Sequence, residues 1–239
     1  MMQDDYYVLF NDKKSPYQHV FLPGILSTLP GNEPQTSKLS FPYDVPQMAQ
    51  EKLYFNFNES LPLRFDYREH RGHIVSPAVL EVLEHLKLAP HYKKHLTIYM
   101  KGMATDHDYW YLAFDRGSWD KGVQQNPERV FFDEENSDTQ LDRDGWPLPT
   151  GHIALTTEAV KYDVFQLINI GCINSYMVCS ADAKAKLEAV GIKGARFVPL
   201  QQAFAVYLKD EINRDLSELL PKVKKVAKPW FADVGKKSE

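Results

Sequence analysis

The chain has 239 residues, a formal net charge of -4, 44% hydrophobic and 25% charged residues, which excludes wholesale disorder and allows one large domain or two small ones. Two cysteines, Cys172 and Cys179, are too few for a disulfide framework and are expected as reduced thiols. No stretch reaches the ~18 consecutive apolar residues of a membrane span, and MMQDDYYVLF carries acids where a signal peptide needs positive charge, so a cytoplasmic protein with no membrane partner is expected.

In chain order, DYYVLF (residues 5 to 10) predicts a strand. Six prolines between Pro16 and Pro46 exclude long helices and central strands and predict a long irregular connection. KLYFNFN alternates Leu53, Phe55 and Phe57 with more polar neighbours, the pattern of a strand with one apolar face. In IVSPAVLEVLEHL, Ser76 is placed to cap a helix, Pro77 suits its first position, and Val79, Val82, Leu83 and Leu86 recur at helical spacing. LTIYM and YWYLAF follow as strands around a turn-like KGMATDHD. A polar stretch then runs to about 150. Beyond it, VFQLINIGCI is a long apolar run in which Asn169, Gly171 and Asn174 predict a bend.

VCSADAKAKLEAVGIKGARF has the full grammar of a capped helix. Ser180 caps it, and Asp182 suits the positive end of the dipole. Ala183, Leu187 and Val190 are expected to face the core, and Gly191 to end the helix in the left-handed conformation with Ile192 packing after it. ARFVPL and QAFAVYL are expected as strands, and residues 210 to 227 as a helix broken at Pro221. The segments after Ser76 and Ser180 share a plan, each with Leu-Glu beginning seven residues beyond the serine.

These patterns predict an α+β fold of mixed strands and helices, as one continuous domain or as two similar strand–helix–strand lobes. The predicted boundaries are residues 1–120, with the Pro-rich loop 16–46, then 121–227, with an acidic loop at 133–144, then a basic tail at 228–239. From residue 222 onward six lysines face two acids, without the aromatic-basic pattern of a nucleic-acid surface, so a solvated tail and no direct nucleic-acid contact are expected.

Catalytic motifs are missing. Cys179-Ser180 precedes a helix, where a nucleophile is possible, yet no Gly-x-Ser-x-Gly elbow surrounds it and the capping reading accounts for its neighbours. A cytosolic hydrolase using Cys179 or a histidine is the alternative. His91 and His95 have the i, i+4 spacing of two helical metal ligands but lack the glutamate of His-Glu-x-x-His, and His70 and His73 flank a polar loop. No metal or cofactor is expected.

The segment DEENSDTQLDRD carries six acids, Asp133, Glu134, Glu135, Asp138, Asp142 and Asp144, against Arg143, a charge of -5 in a chain that otherwise sums to +1. It lacks the calcium-loop order. Beside Trp146 it reads as a mobile acidic arm suited to a basic protein surface, with the aromatic residue as anchor.

Tyr176 to Leu200, through Val178, Ser180, Leu187, Gly191, Ile192, Gly194 and Phe197, resembles the C-terminal signature of bacterial polymorphic-toxin immunity proteins of the immunity protein 11 and immunity protein 43 type. Val75, Ser76, Val79 and Leu83 fit the earlier helix of those families, and Tyr6 to Leu9 a typical opening. The resemblance implies a non-enzymatic antidote. It would bind one cognate toxin, delivered by contact-dependent or type VI secretion, as a 1:1 complex in the cytoplasm and block its active site. Asp133, Glu134, Glu135, Asp138, Asp142, Asp144 and Trp146 are the expected toxin-binding residues.

Overall fold

The computed structural model describes residues 6–17, 24–30, 52–70, 72–115, 130–142 and 145–212. Two sheets carry the fold, and it is α+β. The larger sheet has six strands in the order β2 (Gly24–Ser27), β3 (Leu53–Phe57), β6 (His91–Met100), β7 (Met103–Phe114), β5 (His73–Val75), β4 (Tyr67–Glu69). Only β3 and β6 run parallel. The smaller sheet has the order β12 (Val164–Gln166), β13 (Met177–Ser180), β1 (Tyr6–Asn11), β14 (Ala195–Pro199). The N-terminal strand therefore lies between two C-terminal ones, with Leu9 opposite both Met177 and Phe197.

Alternation in β3 works as its pattern dictates. Leu53, Phe55 and Phe57 are buried on one face with Leu96 and Ile98 of β6, and Leu63 and Phe65 close this minor core. The single strand of the Pro-rich segment that is described, β2, is four residues long and lies at the end of the sheet, as the missing donors of proline require. The major core lies between the other face of the large sheet and the small sheet. It also takes in the buried sides of α1 (Pro77–Glu84) and α2 (Ala181–Ala189).

Both helices begin as their serines predict. The Ser76 hydroxyl accepts from the Val79 amide at 3.5 Å and the Ser180 hydroxyl from the Ala183 amide at 3.2 Å. The end of α2 is a Schellman motif. Gly191, at φ +68°, donates its amide to the Glu188 carbonyl at 2.9 Å, and Ile192 reaches back to Leu187 at 3.4 Å. Val190 departs from expectation: it is the C-cap and is exposed, because the helix has already turned away from the core there.

Two other local expectations are corrected. QAFAVYL is not a strand but belongs to α3 (Leu200–Val206) and a π-helical turn at Tyr207–Ile212. Leu200, Ala203 and Phe204 bury at helical spacing, and the Gln201 side chain uses both its amide groups on the Ile153 backbone, each at 2.9 Å. HYKKH, in which His91 and His95 only share helical spacing, is the start of β6. KGMATDHD is a turn only at Lys101-Gly102, its remainder extending β7. The rest of the helix expected at 210–227 and the basic tail lie outside the described residues. Among those residues, no helix is long and apolar enough to cross a membrane.

Candidate functional site

The acidic segment is held by its own carboxylates. A pair of strands, β8 (Phe132–Asp133) and β11 (Ala154–Leu155), frames a second pair, β9 (Thr139–Leu141) and β10 (Pro147–Pro149), which form a hairpin. Asp133 accepts from the Asn136 amide at 3.1 Å and from its side chain at 2.8 Å. The Asp138 carboxylate accepts from the His152 amide at 2.9 Å, and the Asp142 carboxylate from the Trp146 amide at 2.8 Å. Three acids expected to contact a partner thus fix turns. Within the arm expected here, β9 pairs with β10.

Glu134 and Glu135 differ, because both are exposed and neither carboxylate makes a hydrogen bond or ion pair with another described residue, although the Glu134 carbonyl accepts from the Ser137 amide at 3.3 Å. Leu141 is 53% and Trp146 37% exposed near the hairpin turn. Gly171 backs the hairpin and donates its amide to the Pro147 carbonyl at 2.8 Å. Asp144 and Arg143 lie outside the described residues. Of the acids of this segment that are described, only Glu134 and Glu135 have carboxylates without a hydrogen bond to another described residue.

The groups considered for chemistry are placed differently. Cys179 and Cys172 are buried, and loss of solvent pushes both thiols far above their ordinary range, away from the reactive thiolate. His73 is not in a loop but fully buried in β5, with Nδ1 at 3.1 Å from the Tyr67 hydroxyl. His95 faces Asp108 at 3.1 Å and His91 lies against the Ala89 carbonyl at 2.9 Å, so the pair shares no ligand position. Among the described residues no group of three or more His, Cys, Asp or Glu side chains is arranged to hold a metal ion.

A concave feature that no motif announced lies at the C-terminal end of α1. This open groove of about 640 Å³ has a floor of Leu80, Leu83, Leu86, Leu88, Leu112 and Tyr162. Its edge carries Lys87, His91, Lys93 and Lys161 with one acid, Glu84. Lys93 pairs with Glu84, and Lys161 with Glu158 at 2.6 Å. The Ala89 amide donates to the Val164 carbonyl at 2.8 Å, tying the connection between α1 and β6 to β12. The sequence signal is slight: leucines continue at 86 and 88 beyond the end of α1, where a solvated connection would be polar.

The model of the family described as Immunity protein 43 matches residues 32–211. The chain belongs to that family. It is an immunity protein of the polymorphic-toxin type, and its role is immunity against a toxin. A search of curated proteins finds no match. The match spans both Ser-capped helices, the acidic hairpin and the groove, while β1 precedes it. The serine caps and the Gly191 turn, which carried the resemblance, are architectural features of this immunity protein; its exposed functional candidates are the hairpin and the groove.

Proposed function

We propose that this immunity protein acts in the cytoplasm by binding its cognate toxin as a 1:1 complex and occluding the toxin's active site. The reading rests on the acidic segment: Glu134 and Glu135 stand exposed between β8 and β9, and Leu141 and Trp146 are exposed near the turn of the hairpin that follows. Exposed carboxylates and apolar anchors on one segment suit a basic toxin surface, such as a nuclease cleft. There, charge speeds encounter and a pre-ordered backbone lowers the entropy lost on binding. Asp133, Asp138 and Asp142 add to the field while holding the frame, and Asp144 belongs to the same charge run. Neither catalysis, a cofactor nor direct nucleic-acid contact enters this reading. Delivery of the toxin by contact-dependent or type VI secretion is consistent with it.

Co-expression with the product of the neighbouring toxin gene tests the proposal. Rescue of growth and a 1:1 complex are expected, and E134K/E135K should slow association and flatten its salt dependence. Failure of wild-type protein to bind that toxin would refute binding as the mode of protection. Unchanged kinetics in E134K/E135K would remove the hairpin from the interface.

A further inference from the structure

From the groove at the end of α1 we infer a second contact zone of opposite polarity, whose occupant is an acidic segment of the toxin carrying an apolar anchor side chain. This rests on the toxin-binding reading above and extends it to a surface that the acidic hairpin does not include.

The groove's chemistry selects that occupant. Leu83, Leu86, Leu88 and Leu112 offer an apolar floor, and a volume of about 640 Å³ accommodates one or two large side chains. The rim favours carboxylates. Three of its lining residues are lysines and only Glu84 is acidic. Lys93 already balances Glu84 and Lys161 balances Glu158, whereas the ammonium of the exposed Lys87 makes no hydrogen bond or ion pair with another described residue, its backbone amide donating to the Asp163 carboxylate at 2.8 Å. A purely apolar occupant would leave the Lys87 ammonium facing hydrocarbon, and a basic one would be repelled by it.

The groove also adjoins the acidic surface. Tyr162 in its wall meets Phe131 with ring centroids 5.7 Å apart, and Phe131 leads directly into β8, which ends on Asp133. Two neighbouring zones of opposite sign define an orientation as well as an attraction. A rotated toxin would bring like charges together at both places.

The test measures binding of a catalytically inactive form of the neighbouring gene's toxin to wild type, K87E/K161E and L86W, at low and high salt. L86W fills the groove. Both lysines are exposed, so K87E/K161E is expected to fold, with thermal unfolding as the check; K87A/K161A reports the same sign without adding acids. Affinity should fall at least about tenfold in L86W and K87E/K161E, the latter binding better as salt rises. Wild-type affinity in both variants, with wild type still binding the toxin, would overturn the groove and leave the antidote reading standing. Tighter binding by K87E/K161E would overturn the acidic occupant. No binding by wild type would refute the antidote reading and the groove with it.

Discussion

Asn11 and Glu69 clasp each other across the two sheets: the Asn11 side chain accepts from the Glu69 amide at 2.8 Å and donates to the Glu69 carbonyl at 3.3 Å. The side chain supplies both partners that a neighbouring strand would have given the end of β4. Beside it the Tyr67 hydroxyl donates to the Leu9 carbonyl at 3.4 Å, so β1 is fastened to the large sheet at two points. Asn11→Ala leaves both groups of Glu69 without this partner in a nearly buried position, and a loss of about 1–3 kcal/mol is expected. Urea unfolding monitored by tryptophan fluorescence measures it. A change below a few tenths of a kcal/mol would show that water replaces the clasp.

The clasp also marks where sequence reasoning stops. Capping and strand alternation are local, so Ser76, Ser180, Gly191 and the Leu53-Phe55-Phe57 face were legible. The partners of β1 were not, since pairing Leu9 with Met177 and Phe197 is a fact about chain return. QAFAVYL misled because its alternation suits a strand, and only the burial of Leu200, Ala203 and Phe204 together decides for a helix. In the candidate site, charge located the acidic surface but could not tell exposed Glu134 from Asp138, whose carboxylate is spent on His152. The groove draws on residues 80 to 93, 112, 161 and 162, a set no linear motif contains.

If Ser76 and Ser180 are caps, each alanine variant should lose about 1 kcal/mol and remain folded. The growth protection given by S180A should match that of wild type at equal protein level. Complete loss of protection in a folded S180A protein would contradict the capping assignment and reopen Cys179-Ser180 as a functional pair.

Buried thiols with raised pKa values should resist modification. Cys172 and Cys179 are expected to react with an aromatic disulfide reagent at mildly alkaline pH only as fast as the protein opens, and at once in denaturant. Rapid stoichiometric labelling of native protein would show that one of them reaches solvent.

Acid should loosen the turn after α3. The Arg196 guanidinium donates to Asp210 at 2.8 Å and holds its carboxyl below the usual carboxylate range, while Lys13 donates to the Asp210 carbonyl at 3.0 Å. A lowered folded-state pKa means that the contribution is present above the unfolded value and is lost as pH falls through the folded one. Hydrogen exchange at residues 207–210 should therefore quicken selectively below about pH 4. Arg196→Ala should abolish that pH dependence, and an identical acid response in the variant would dissociate it from this pair.

The hairpin's position depends on Gly171. A Cβ there would stand 2.9 Å from both Trp146 Cβ and Leu148 Cδ2, closer than van der Waals contact allows. Because Trp146 Cβ moves only with its backbone, Gly171→Ala should push the hairpin outward and cost about 1–3 kcal/mol. Gly191→Ala is the matched control: its φ of +68° imposes backbone strain of about 1 kcal/mol, but nothing lies within 4 Å of the new methyl group. If the toxin docks on the hairpin, Gly171→Ala should weaken binding several-fold while Gly191→Ala leaves it unchanged. Titration of the inactive toxin against each variant, alongside its denaturation curve, separates position from stability. Equal weakening in the two variants would mean that general destabilisation, and not hairpin placement, governs the complex.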